Sequence, residues 1–242
     1  MGLKKKLLLL GILCMAAAIG PAVRLEQTVG GGAVMEISQK PPLVALTFDD
    51  GPRNSTTGRL LEGLALREVP ATFFLVGSRI PGSESLIQEM AAAGHQIGVH
   101  TFDHIQVTEL SHRDFDLQVG KTRALLADIL GSRDFWLRPP YGIVDATARQ
   151  WADGPLILWS VDPEDWKDSD VNRIVATVTE QAEDGDIILM HDIYDSSVDA
   201  ALRIVDTLLA RGYCFVTVEQ LMQLRDTAPE RGALYTSLPP GR

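Results

Sequence analysis

Two carboxylates stand side by side in Thr47-Phe48-Asp49-Asp50-Gly51-Pro52, at the end of a short apolar run. Adjacent acids where a buried strand emerges are costly to desolvate unless a cation or a proton offsets them. Neighbours on a strand point to opposite faces, so one can hold a metal while the other acts as a base. Read alone, Asp-Asp-Gly-Pro serves equally well as a turn. A second pair lies in His100-Thr101-Phe102-Asp103-His104. Two histidines four apart, entering a turn of helix, can bring both rings to one point. The plainer reading is a pair of surface or capping side chains. The chain has only five histidines, so the spacing favours ligands. His95 and His112 sit at no ligand spacing and read as structural. Asp50, His100 and His104 together offer one carboxylate and two imidazoles, a set that leaves a coordination position open for water. A divalent ion there lowers the pKa of its water toward about 7 and polarises a carbonyl.

Three further clusters follow apolar runs. In Arg138-Pro139-Pro140-Tyr141-Gly142 two prolines stiffen the backbone and fix where Arg138 and the Tyr141 amide point. A fixed amide N–H is a good oxyanion donor; the alternative is a rigid surface turn. Asp162-Pro163-Glu164-Asp165-Trp166 and Leu189-Met190-His191-Asp192 supply acids and a histidine. A carboxylate close to His191 holds its ring and raises its pKa, which suits a general acid. Trp166 and Leu189 can wall a small apolar pocket, although Trp166 taken by itself reads as core packing.

The elements that must position these groups are short apolar runs alternating with amphipathic ones. Strand-like runs cover Leu43 to Thr47, Ala71 to Val76, Gln96 to His100, Phe135 to Arg138, Leu156 to Ser160, Asp186 to Met190 and Tyr213 to Val218. Their near-continuous apolar character is that of strands buried on both faces. Helical spacing covers Thr57 to Arg67, Glu84 to Ala93, Arg113 to Leu130 (with Leu117, Leu125 and Ile129 on one face), Asp170 to Gln181 and Val198 to Ala210. Gly94 and Gly212 stand where left-handed helix caps are expected. Alternating strands and helices imply an α/β fold with a parallel sheet. No Gly-x-Gly-x-x-Gly follows the first strand, so a dinucleotide-binding sheet lacks its signature. Polar clusters after most strands favour a barrel of about seven strands with its active site at the C-terminal strand ends.

A formal charge of −10 argues against a nucleic-acid binder, which needs a basic surface. Lys4, Lys5 and Lys6 precede an apolar run from Leu7 to Val23, the pattern of an export signal. Residues 1–23 therefore read as a signal peptide, or as a membrane anchor if uncleaved; the run is at the short end of what spans a bilayer. Either way the remainder lies outside the cytoplasm. Gly30, Gly31 and Gly32 mark a linker over 24–41, 42–225 form the folded domain, and 226–242 read as a loosely ordered tail. Of the two cysteines, Cys14 lies in the apolar leader and Cys214 in a strand-like run, so no intramolecular disulfide forms if the leader is removed or embedded.

Taken together, the five segments resemble the polysaccharide deacetylases, the NodB-homology or carbohydrate esterase family 4 enzymes. The resemblance runs from about Leu43 to Leu224, with the motifs in order. It implies a distorted (β/α) barrel and a hydrolase that removes N-acetyl groups from a cell-surface polysaccharide such as peptidoglycan or a chitin-like polymer. It further implies Asp49 as catalytic base and Asp50, His100 and His104 as ligands of one divalent ion, Zn²⁺ foremost, with Co²⁺ or Mn²⁺ compatible. Arg138 then orients the base and the Tyr141 amide stabilises the oxyanion. Asp165 pairs with His191, the general acid, while Trp166, Leu189 and Pro140 line the substrate. The expected partner is the N-acetylated polymer, acted on by a monomer. Asp103, between the histidines, adds a negative charge beside the metal and is expected to alter metal affinity or substrate preference without abolishing either. The competing readings are an O-acetyl ester deacetylase on a xylan-type polymer, a two-carboxylate glycosidase and a non-catalytic wall-binding homologue.

Overall fold

The computed structural model of the chain describes residues 40–241. The leader and most of the linker expected over 1–41 lie outside the described residues. No helix among the described residues is long and apolar enough to cross a membrane.

The first strand, β1 (Leu43–Asp49), is buried along nearly its whole length. Helix α1 (Asn54–Ala65) leads to β2 (Thr72–Leu75), and α2 (Glu84–Ala92) to β3 (Gln96–Val99). A long helix follows in three parts: α3 (His112–Phe115), a π turn over Asp116–Gly120, and α4 (Lys121–Leu130). Then come α5 (Ala146–Trp151), β4 (Leu156–Ile157), α6 (Val171–Gln181), β5 (Asp186–His191), α7 (Asp195–Ala210), β6 (Cys214–Phe215), α8 (Val218–Leu224) and β7 (Leu234–Tyr235).

The main sheet is parallel in the order β3-β2-β1-β5, and β6 pairs with the first two residues of β1. No continuous ladder closes it. Single parallel bridges carry it round instead, from Val99 to Leu137, from Leu137 to Leu156, and from Val161 to Ile188 of β5. The result is a distorted barrel. The expected strand over Phe135 to Arg138 is thus reduced to one bridged residue.

Side-chain alternation along β1 divides the interior in two. Val44, Leu46 and Phe48 join the cluster that takes in Leu60, Ile87, Leu126, Ile174 and Ile204 from the surrounding helices. Ala45 joins a second cluster with Phe74, Trp136, Ile157 and Ile187. Thr47 and Asp49 share the face of Ala45, so the polar end of the barrel interior sits above an apolar floor.

Two expectations are corrected here. Leu117, expected on the buried helix face, is 50% exposed. The π turn widens the helix at that point and rotates the inward face onto Phe115 and Val119, both buried. The described part of the tail expected to be loose, 226–241, is tied down. Strand β7 pairs with β4, and Leu238 is buried in the second cluster. The Leu238 N–H donates to Gly185 O at 2.7 Å. Gly185 has φ +99, and a Cβ there would lie 2.1 Å from the Leu238 carbonyl oxygen. Arg149, Arg225 and Arg231 each donate from Nε to a backbone carbonyl at Gly232, Leu238 and Ala152. Proline, glycine and arginine in the tail signal an irregular path, and here that path is fastened by arginine donors and close backbone approach.

Candidate active site

The parallel register between β1 and β5 pairs Thr47 with Leu189 and Asp49 with His191. Paired residues of adjacent strands point to the same face. The register therefore sets an acid and a histidine side by side at the C-terminal ends of two neighbouring strands.

Arg138 is fully buried and enters this face from the segment after the Leu137 bridge. A buried cation must be paired and hydrogen-bonded. Its Nη1 donates to Asp49 Oδ1 at 2.8 Å and to Thr47 Oγ1 at 2.7 Å. Its Nη2 donates to Leu158 O at 2.9 Å, and its Nε to Ile157 O at 3.1 Å. The guanidinium also lies over the Phe74 ring, 4.2 Å from its centroid. Burial pulls Arg138 below the ordinary guanidinium value, and Asp49 opposes that pull. One Asp49 oxygen is thus held by Arg138, while Oδ2 faces His100 Nε2 at 3.6 Å.

Asp50, His100 and His104 converge. Their ligand atoms all lie within 4.8 Å of one another. Asp50 Oδ1 stands 3.2 Å from His104 Nε2 and 3.7 Å from His100 Nε2. His100 Nδ1 lies 2.7 Å from the Arg138 carbonyl oxygen. A carbonyl can only accept, so the ring proton sits on Nδ1 and Nε2 presents a bare lone pair to Asp50. Burial pulls His100 below the ordinary imidazole value, against the opposing pull of Asp49 and Asp50. A neutral ring is the form that binds metal. Asp50 Oδ1 is buried and makes no hydrogen bond. Lone pairs converging on an orphaned buried carboxylate oxygen are the arrangement a divalent cation satisfies, so these residues fit such an ion.

The geometry differs from the expectation in two respects. Asp49 and Asp50 do not point to opposite sides; both carboxylates face His100. The strand ends at Asp49 and Asp50 turns left-handed, at φ +73, which breaks the alternation. The two histidines are not on a helical turn either. Thr101 and His104 are both left-handed, at φ +60 and +56, and those turns fold the loop back so that the rings meet 5.0 Å apart.

His191 is held from both ends by Asp165. Its Nδ1 lies 2.8 Å from Asp165 Oδ1, and its backbone N–H donates to Oδ2 at 2.9 Å. Burial alone would lower its pKa. The Asp165 hydrogen bond and charge, with Asp49 and Asp50 behind them, outweigh burial and lift it to about 9. A group working as an acid acts below its pKa and fails as pH rises through it. Asp165→Asn is therefore expected to move the alkaline limb of the kcat–pH profile to lower pH. A limb that stayed in place would remove Asp165 from that role.

The remaining expected residues fall around this centre. Leu189 is buried on the same face as His191. Pro140 is buried in the turn Pro140–Gly142, where Tyr141 takes φ +63. Tyr141 is 60% exposed, and its ring meets His104 edge-on at 4.9 Å. Trp166 is 53% exposed, so packing in the core is not its place. His95 is structural: its Nδ1 accepts from the Ala71 N–H at 3.0 Å. A cavity of about 420 Å³ opens elsewhere, beside Trp151 and Phe135; it contains none of these residues.

Two further residues contribute to this centre. Thr47, two residues before Asp49 and so on its face, accepts from Arg138 and donates to Ile188 O at 2.6 Å; strand period was the available signal. Asp192 is fully buried and bonded to the Thr57 hydroxyl, and burial pushes its carboxyl up to about 7. It sits under the Asp50 turn, where a Cβ on Gly51 would lie 2.4 Å from its Oδ2.

The sequence model for "Polysaccharide deacetylase" matches residues 36–153. The chain is 40% identical over 183 residues to peptidoglycan-N-acetylmuramic acid deacetylase PdaC of Bacillus subtilis. That match covers 76% of this chain and 39% of PdaC, so the chain spans about two fifths of that relative's length. It is 32% identical over 221 residues to a peptidoglycan-N-acetylglucosamine deacetylase of Bacillus cereus, covering 84% of this chain and 99% of the relative. Among solved structures, a family 4 acetyl xylan esterase from Clostridium thermocellum, in complex with a cobalt ion, superposes with a TM-score of 0.78 at 32% identity. That superposition covers 81% of this chain and 99% of the esterase. With matches that take in nearly the whole of such relatives in both sequence and fold, the chain belongs to the polysaccharide deacetylase family.

Proposed function

We propose that this chain is a metal-dependent hydrolase that removes N-acetyl groups from a polysaccharide outside the cytoplasmic membrane. The observation that carries the reading is the single face holding Asp49 beside the Asp50, His100 and His104 cluster, with the His191–Asp165 pair one strand away. Asp50, His100 and His104 would hold a divalent ion, zinc foremost, with cobalt or manganese compatible. Bound there, the ion supplies polarisation of the acetyl carbonyl and acidifies a water.

The chain's own groups account for the proton movements. Asp49 Oδ2, left free by the bond from Arg138 to Oδ1, accepts a proton from the attacking water. The water oxygen bonds to the acetyl carbon. His191, steadied through Nδ1 by Asp165, donates from Nε2 to the leaving nitrogen as the C–N bond breaks. An amine leaves only when protonated, and an acid lifted to about 9 is charged at neutral pH. The Tyr141 amide is the candidate oxyanion donor, a contribution typically of about 3–4 kcal/mol. Leu189, Trp166 and Pro140 are the candidate walls for the acetyl group.

The relatives act on peptidoglycan, and the lysine-led apolar leader suits export. Both support an N-acetylated wall polymer as substrate. A two-carboxylate glycosidase fits poorly. With Asp49 and either Glu164 or Asp165 as its pair, it leaves the converging His100 and His104 without a role, and Asp165 already accepts from His191 with both oxygens. The test is an assay on peptidoglycan, chitooligosaccharides and acetylxylan. The expected products from an N-acetylated polymer are equal amounts of acetate and free amine at unchanged chain length. Shortened chains without acetate would overturn the reading, and acetate from acetylxylan alone would move it to esters.

A further inference from the structure

The two ligand loops of the candidate site are gripped from outside by groups that none of the five motifs contains. Gln118, in the π turn of the long helix, holds one flank of the His100–His104 loop. Its Oε1 accepts from the Phe102 N–H at 3.0 Å and the Asp103 N–H at 2.9 Å, and its Nε2 donates to Asp103 Oδ2 at 2.9 Å. The other flank is held by the turn Gly77–Arg79 that follows β2. The Gly77 N–H donates to Thr101 O at 2.9 Å and the Ser78 N–H to Phe102 O at 2.8 Å. The same turn reaches the Asp50 loop. The Val76 N–H donates to Gly51 O at 2.9 Å, and Arg79 Nη1 to Asp50 O at 2.5 Å. There is no space for a side chain at Gly77: a Cβ would lie 2.3 Å from Thr122 Oγ1 and 2.6 Å from Phe102 Cδ2.

The loops need such support. Asp50, Thr101 and His104 are all left-handed non-glycine residues. Such a residue is strained and persists only where its surroundings over-determine it. A loop freed of its brackets must be ordered again when it binds an ion, and that cost appears as lost affinity. Asp103 is fastened to Gln118 as part of the bracket.

We propose that Gln118 and Arg79 are positioning residues that set the spacing of Asp50 from His100 and His104, and with it the affinity for the divalent ion. The proposal rests on the metal reading given above. It assigns no contact with the ion to either residue.

The test is zinc affinity of the metal-stripped full chain, measured in competition with a chromophoric chelator. Gln118→Ala and Arg79→Ala are each expected to bind zinc about tenfold more weakly, in the range for residues that orient ligands. Gln118→Glu combined with Asp103→Asn exchanges donor and acceptor while keeping the bracket. It is expected to recover most of the affinity, which separates lost positioning from lost folding. Asp50→Ala removes a ligand and reports on the site itself. Wild-type affinity in both alanine variants, beside a loss in Asp50→Ala, would overturn the positioning roles and leave the metal reading standing. A wild-type chain that takes up no zinc would overturn both.

Discussion

Asp49→Asn is expected to lower kcat by roughly a thousandfold, within the span that general base catalysis contributes, while zinc uptake continues. The amide keeps an oxygen to accept from Arg138, whose Nη1 stands 2.8 Å from Asp49 Oδ1. The fold around Thr47 and Arg138 is therefore retained. What is lost is the second oxygen, which faces the ligand cluster and is the acceptor assigned to the water's proton. An amide nitrogen cannot take that proton. The check is kcat for acetate release beside a zinc titration of the same protein. Near-normal turnover would assign the base elsewhere. Loss of zinc binding together with turnover would make Asp49 a ligand.

Arg138→Met is expected to destabilise the fold by about 3–5 kcal/mol, the cost of leaving one half of a buried ion pair behind. Methionine fills much of the space but makes none of the four hydrogen bonds, and Asp49 remains almost wholly buried without its counter-charge. Activity should fall too, because nothing then directs Asp49 Oδ2 toward the cluster. Arg138→Lys should not rescue, since one ammonium cannot reach Thr47, Asp49, Ile157 and Leu158 as the planar fork does. Denaturant unfolding gives the measure: a lowered midpoint at unchanged slope is expected. A loss below about 1 kcal/mol, the scale of exposed pairs, would show that the bonds to Arg138 carry little.

Much of this site is legible in the sequence. Buried parallel strands are written as apolar runs, so β1, β2, β3 and β5 could be placed, and with them the strand ends where Asp49, His100 and His191 emerge. The histidine spacing and the adjacent acids identified the ligands by type. The way they converge was harder to read. It depends on left-handed backbone at Asp50, Thr101 and His104, and aspartate, threonine and histidine announce that conformation far less than glycine does. The bracket was invisible for a different reason. Gln118 lies mid-helix, where its side chain could as well face water, and only the π turn and the returning loop bring it to Phe102 and Asp103. The tail misled through composition: proline and glycine mark irregular backbone, and they are silent on whether Leu238 is buried.

The central claim is that acetyl removal needs a divalent ion at Asp50, His100 and His104. It is tested most directly by stripping the protein, adding zinc back in graded amounts, and following acetate release from an N-acetylated glycan. The predicted result is no acetate from the stripped protein, then activity that rises with zinc and saturates at one ion per chain. Asp50→Ala should stay silent at zinc levels that saturate the wild type. Full acetate release in excess chelator, or an Asp50→Ala variant as active as the wild type, would contradict the account.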